Sequence, residues 1–220
     1  MSDVTADWPH LFRAGSPDAP VLLMLHGTGG DEQQISGLAA ALDPTAAVLA
    51  PRGRAAENGM NRWFRRLSEG VFDTEDVARR ADDLAGFLVW VRDYYELGDR
   101  SLVAVGFSNG ANIALALALL HPEVVARVVA FSGMHPLDVS ADASEVERAI
   151  DARVAASELA ASAVLLVNGR SDPMAPLVSV QMLVELLGER GATVTQSLRP
   201  GGHGVAEEDV AAAVAWLAQL

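Results

Sequence analysis

The chain alternates short apolar runs with longer amphipathic stretches almost from end to end. Residues 21–25 read Val-Leu-Leu-Met-Leu, a continuous apolar run of strand length, which predicts a strand covered on both faces. A glycine-rich turn follows, and then a helix over 31–42. Ala-Val-Leu-Ala at 47–50 gives the next strand, stopped by Pro51. Residues 52–72 show no period and read as a long loop rich in arginine. Val77, Ala81, Leu84, Leu88 and Val91 recur at three- and four-residue spacing and predict a helix over 74–97. Beyond it the pattern gives a strand over 101–107, a helix over 109–120 and a strand over 124–131. Residues 134–161 are polar and acidic, with a helix over 143–156, and form a candidate lid or insert. A strand over 163–167, a helix over 175–190, a strand over 193–198 and a helix over 206–220 complete the series.

Strands and helices in this order predict an α/β fold, a mostly parallel central sheet with helices on both faces. No repeat, low-complexity tract or linker interrupts the 220 residues, so 1–220 reads as one domain.

Composition narrows the function classes. The net charge is −13 at pH 7, and all 16 basic residues are arginine. An acidic surface without a basic stripe argues against non-specific nucleic-acid binding and against docking on anionic lipid. The absence of cysteine excludes disulfides, thiolate metal sites and a cysteine nucleophile. No histidine pair or carboxylate cluster has metal-ligand spacing, so neither a metal nor another cofactor is expected. Asp3, Asp7, Trp8 and Pro9 stand where a secretory signal would be basic and then apolar. The apolar stretch 101–120 is interrupted by Gly106, Ser108, Asn109, Gly110 and Asn112, as a buried strand, turn and helix would be, and not a membrane span. These features predict a cytoplasmic enzyme acting on a small molecule.

Gly106-Phe107-Ser108-Asn109-Gly110 fits the pattern G-x-S-x-G between a predicted strand and a predicted helix. A serine on such a turn projects its hydroxyl at the carboxyl edge of the sheet, where open α/β folds bind ligands. In the structural alternative, Ser108 only caps the helix. A nucleophilic serine needs a base, and the base needs an orienting carboxylate. Of the five histidines, His10 lies in the N-terminal arm, His26 ends a strand before Gly27, and His121 ends a helix before Pro122. His135 is an alternative base. His203 is preferred because its loop, Pro200-Gly201-Gly202-His203-Gly204, joins the last strand to the last helix and gives the chain order serine, acid, histidine. Asp172, in Asn168-Gly169-Arg170-Ser171-Asp172-Pro173, follows a predicted strand and is the preferred acid; Asp138 competes with it.

Acyl transfer also needs donors for the oxyanion. The amide of Asn109 is one candidate and that of Thr28, in His26-Gly27-Thr28-Gly29-Gly30, is the other. That glycine turn is not a dinucleotide fingerprint, because the G-x-G-x-x-G spacing fails. Arg52, Arg54, Arg62, Arg65 and Arg66 are candidates for attracting an anionic substrate group. Pairing with Glu69, Asp73, Glu75 and Asp76 just downstream is the favoured alternative. Arg62, Trp63, Phe64, Met134 and Met174 are candidate substrate-pocket residues, and the apolar four among them read equally well as core.

Taken together, Met24 to Glu32, Pro51-Arg52-Gly53, Asn61-Arg62-Trp63-Phe64, Gly106 to Asn112, Asn168 to Pro173 and Gly202-His203-Gly204 resemble the phospholipase/carboxylesterase family of small α/β-hydrolases. That family includes bacterial carboxylesterases and acyl-protein thioesterases. The resemblance runs in order through nearly the whole chain and implies the same triad and oxyanion amides. Asparagine after the nucleophile, where the thioesterase branch usually has glutamine, resembles the bacterial carboxylesterase branch. The implied activity is hydrolysis of short- to medium-chain carboxylic esters, with a thioesterase or lysophospholipase and a non-catalytic binding protein as alternatives. The resemblance also implies a homodimer.

Overall fold

The computed structural model describes residues 7–139 and 142–220. The fully apolar runs form the central strands. β1 (His10–Arg13), β2 (Val21–Leu25), β3 (Ala47–Pro51), β8 (Leu102–Phe107), β9 (Arg127–Phe131), β10 (Ala163–Gly169) and β11 (Thr193–Arg199) make one sheet. Two hairpins, β4 (Ala55–Glu57) with β5 (Met60–Arg62) and β6 (Arg66–Ser68) with β7 (Val71–Phe72), lie outside it. Strand order in the sheet is β1-β3-β2-β8-β9-β10-β11, parallel except for β1, which pairs antiparallel with β3.

Helices cover both faces, as the alternating pattern predicts. α1 (Glu32–Leu42) and α6 (Glu207–Leu217) bury Ala39, Leu42, Ala213 and Trp216 on one face, against Leu22, Met24, Val103, Val105 and Val129. α2 (Thr74–Tyr94), α3 (Asn109–Leu120), α4 (Glu145–Ala156) and α5 (Leu177–Glu189) pack on the other. Every residue of α3 but the last is buried, which explains its unpatterned apolar sequence. α4 rests on α2 and α3, burying Ile150 and Val154, with Arg153 paired to Asp82 of α2 at 2.9 Å.

Sequence and structure differ in several places. Residues 52–72 are not a plain loop but the two hairpins. Asn58 and Gly59 turn the first with φ of 51° and 77°, the left-handed conformations that a two-residue hairpin turn demands. Each strand spans only two or three residues, too short for an alternating pattern to register. β1 lies in what reads as an arm; a four-residue edge strand has no longer signature. α2 ends at Tyr94, short of 97, and β9 begins at Arg127, after a turn occupying the start of the predicted strand.

Candidate active site

The sheet reverses its direction of winding next to β2: β3 lies on one side and β8 on the other. Open α/β sheets bind ligands at the carboxyl end of such a switch point. Ser108 stands there, between β8 and α3, with φ 54° and ψ −117°, a conformation that costs on the order of 1–3 kcal/mol for a residue with a Cβ. Its neighbours make the turn sterically feasible. A Cβ on Gly106 would lie 2.3 Å from the Gly110 carbonyl oxygen, and one on Gly110 would lie 2.0 Å from that of Leu25. The Ser108 side chain makes no capping bond to the helix. Its hydroxyl is 2.9 Å from His203 Nε2 instead.

His203 Nδ1 lies 2.8 Å from Asp172 Oδ2, and the other Asp172 oxygen accepts the Met174 and Ala175 amides at 2.8 and 3.2 Å. Three acceptor bonds hold the buried carboxylate in one orientation. The loops carrying acid and histidine are joined through their backbones: Ser171 N–H donates to the Gly201 carbonyl at 2.8 Å, and Arg170 N–H to that of Arg199 at 2.9 Å. The Arg199 side chain donates to the carbonyls of Gly202 and Gly204 at 3.2 and 3.0 Å, and to Asp209 of α6 at 2.7 Å. The Phe107 ring packs against His203, with centroids 5.1 Å apart.

Asp172, and not Asp138, is thus the carboxylate on the histidine. His26 is built into the turn: Nδ1 donates to the Gly27 carbonyl at 2.7 Å and Nε2 accepts the Gly53 amide at 2.9 Å. Burial pushes its pKa down, although the Gly27 bond and the nearby Asp31 and Glu32 oppose this. Burial lowers that of His135 as well, and its Nδ1 accepts the Leu137 amide.

A cleft of about 30 Å³ beside Ser108 is lined by Thr28, Arg62, Asn109, Phe72, Ser132 and Met174 among others. Among the described residues, neither the Thr28 nor the Asn109 amide donates to a protein acceptor. The Asn109 side chain accepts the Trp63 amide at 2.7 Å, and the Trp63 indole donates to the His26 carbonyl at 2.9 Å. These bonds tie the β2–α1 turn, the first hairpin and the start of α3 into one unit. Of the five pocket candidates, Arg62 and Met174 line the cleft, while Trp63, Phe64 and Met134 belong to the buried core. Met134 also lines an adjoining cavity of about 260 Å³ together with Val71, Phe72, Pro136, Pro176 and Val178.

The arginines of 52–72 are mostly paired. Arg52 meets Glu32 at 2.6 Å, Arg65 pairs with Asp73, and Arg66 meets Glu57 and Glu69 at 3.0 and 2.5 Å. Arg54 lies over the Trp8 ring, 5.0 Å from its centroid. Of the four downstream acids expected as partners, Glu69 and Asp73 take that part. Asp76 pairs with Arg79 and Arg80, and Glu75 accepts the Ser144 hydroxyl at 2.9 Å.

Sequence reasoning does not reach Ser132, which follows β9 with φ 52° and sits with its hydroxyl 3.3 Å from the Gly204 carbonyl oxygen. A left-handed serine has no compositional mark. Nor does it reach Arg199, although a single arginine beside Pro-Gly-Gly-His-Gly was a usable hint, because such a loop is rich in unpaired carbonyls.

Residues 9–220 match the family model of one protein family, phospholipase/carboxylesterase. The chain belongs to that family. MhqD of Bacillus subtilis (strain 168) is 33% identical over 207 residues, which cover 94% of this chain and 96% of that protein. The Bacillus cereus carboxylesterase crystal structure is 35% identical with a TM-score of 0.85, covering 97% of this chain and 95% of that one. Esterase YpfH of Escherichia coli (strain K12) is 26% identical over 88% of this chain and 81% of that protein. Membership of the phospholipase/carboxylesterase family makes the chain a hydrolase, and its sheet, with the six helices among the described residues, is that of the α/β-hydrolase fold. Among the described residues no helix is long and apolar enough to cross a membrane.

Proposed function

We propose that the chain is a serine carboxylesterase with Ser108 as nucleophile, His203 as general base and acid, and Asp172 orienting the imidazole. The observation that carries this reading is the continuous relay from Ser108 Oγ through His203 to Asp172, with links of 2.9 and 2.8 Å. With Nδ1–H held by Asp172, Nε2 is the basic nitrogen and takes the serine proton as Oγ attacks the ester carbonyl. The oxyanion forms toward the amides of Thr28 and Asn109. Collapse expels the alcohol, protonated by His203, and leaves an acyl-serine. Water, deprotonated by the same nitrogen, then releases the acid and restores Ser108.

The adjoining cavity of about 260 Å³ supports a short- to medium-chain acyl group, since its walls include Val71, Phe72, Pro176 and Val178. In this reading Met134, His135, Pro136 and Asp138 are the part of 134–161 that borders the acyl group, and α4 serves as packing for α2 and α3.

The test is labelling by a fluorophosphonate probe together with hydrolysis of p-nitrophenyl butyrate. Wild type is expected to label and turn over, and Ser108→Ala to do neither while melting as a folded protein. Turnover by Ser108→Ala would overturn the assignment, and a wild type that neither labels nor hydrolyses any acyl ester would make the chain a binding protein on this fold.

A further inference from the structure

A second cavity, of about 670 Å³, lies at the opposite end of the strands from Ser108. Its walls include Leu22 and Val103 of the sheet, Leu42 of α1 and Leu217 of α6. Arg127, the first residue of β9, also lines it, level with Val103 on the neighbouring strand. Side chains alternate along a strand, so Arg127 heads the row that continues with the buried Val129 and Phe131. Phe131, at the other end of β9, accepts the Ser108 amide at 2.9 Å. Four residue steps at about 3.3 Å each put the two sites about 13 Å apart along the strand.

The charges around the cavity are not equally available. Arg100 is committed to the carbonyls of Ala19, Ser16 and Pro20 at 2.9, 3.0 and 3.3 Å. Asp43 accepts the amide and hydroxyl of Thr45 at 2.8 and 2.7 Å, and Asp18 is an exposed rim residue. Arg127 differs. Among the described residues its hydrogen-bond partner is the Ser101 hydroxyl alone, and no carboxylate pairs with it. A guanidinium brings five N–H donors; Arg127 is half-buried, and the donors not spent on the Ser101 hydroxyl are not buried, so a ligand in the cavity can use them.

We propose that this cavity is a binding site for an amphipathic monocarboxylate, with the carboxylate on Arg127 and the tail along Pro20, Pro44, Val214 and Leu217. Its volume falls in the range of small-molecule sites, which combine apolar walls with a few placed polar groups. The unspent face of a guanidinium matches a carboxylate by two parallel charge-assisted bonds. The site owes nothing to the triad, and its test does not depend on turnover.

The experiment is calorimetric titration of the full chain with octanoate and, in parallel, with octanol, before and after treatment with the fluorophosphonate. Octanoate is expected to bind once per chain, about tenfold more tightly than octanol, and to bind the treated chain equally well. Arg127→Gln is expected to erase the preference for the acid, and Ala218→Trp, which places an indole on the rim, to abolish both. Equal affinity of wild type for octanoate and octanol would overturn the proposal, as would octanoate binding that survives Ala218→Trp. Absence of saturable octanoate binding would also overturn it, including where sedimentation shows a second copy of the chain covering this face. If the fluorophosphonate fails to label Ser108, the triad reading falls and the comparison of octanoate with octanol still decides the cavity.

Discussion

The Arg62 guanidinium donates to the Thr28 hydroxyl at 3.0 Å, while its Nε donates to the Phe64 carbonyl at 3.2 Å and faces Glu57 at 3.2 Å. Burial pushes its pKa below the ordinary arginine value, with Glu57 opposing. The charge therefore sits beside the turn whose amide is assigned to the oxyanion, and it fixes that turn's side chain. Arg62→Met is expected to lower kcat about 100-fold with little change in KM, because a displaced oxyanion donor is lost mainly in the transition state. Arg62→Lys should recover part of the loss. Steady-state kinetics with p-nitrophenyl butyrate and with an ester bearing a free carboxylate check this. A KM increase confined to the acidic ester would mean that Arg62 reads substrate charge instead.

Asp172→Asn should leave the fold intact and reduce kcat by about 10⁴-fold, because an amide can hold His203 in the wrong tautomer. Activity measured against urea unfolding of the same sample separates this effect from instability.

Ser108 carries its strain through its Cβ, so the strain should be measurable by substitution. Ser108→Gly and Ser108→Ala both lose the hydroxyl, but only alanine keeps the Cβ at φ 54°. The glycine variant is expected to be more stable than the alanine variant by about 1 kcal/mol, the strain released exceeding the entropy glycine costs. Equilibrium unfolding of the pair checks the sign.

Gly110→Ala should be severe. The added carbon would meet the backbone of β2, which has no flexible end to move aside. A loss of about 3 kcal/mol, read from denaturant midpoints, is expected.

His26 sets a pH dependence. Its folded pKa lies below the ordinary value of 6.5, so the unfolded chain takes up a proton first as pH falls. Its contribution to stability is full above about pH 6.5 and is lost as pH drops toward the folded value; His135 acts in the same direction. Unfolding free energy should therefore fall between pH 7.5 and 5.5, before most carboxylates titrate. His26→Gln, which can still accept the Gly53 amide, should show a smaller fall.

The legible parts of this chain are those where local chemistry and global position agree. Continuous apolar runs such as 21–25 mark central strands because a strand buried on both faces admits nothing else. Ser108 can be found because its turn requires glycine two residues before and two after, and each glycine leaves a letter in the sequence. Asp172 and His203 follow because they must emerge from neighbouring strand ends. The hairpins within 52–72 lack such constraints: short strands away from the core are held by pairs such as Arg66 with Glu57, which no period announces. For the same reason the sequence leaves Trp63 and Phe64 open between core and pocket. An aromatic residue beside a motif looks alike whether it faces the cleft or the interior, and only packing separates the two.

The two loops knitted together by Ser171, Gly201 and Arg199 also impose an order on the protein's biosynthesis. During synthesis the turn bearing Ser108 leaves the ribosome nearly a hundred residues ahead of His203. Until β11 and the loop after it have emerged, the Ser108 hydroxyl has no base. The relay closes only when the last strand and the helix bearing Asp209 arrive. In this reading the enzyme is inert until β11, the loop bearing His203 and α6 have folded onto the rest of the sheet.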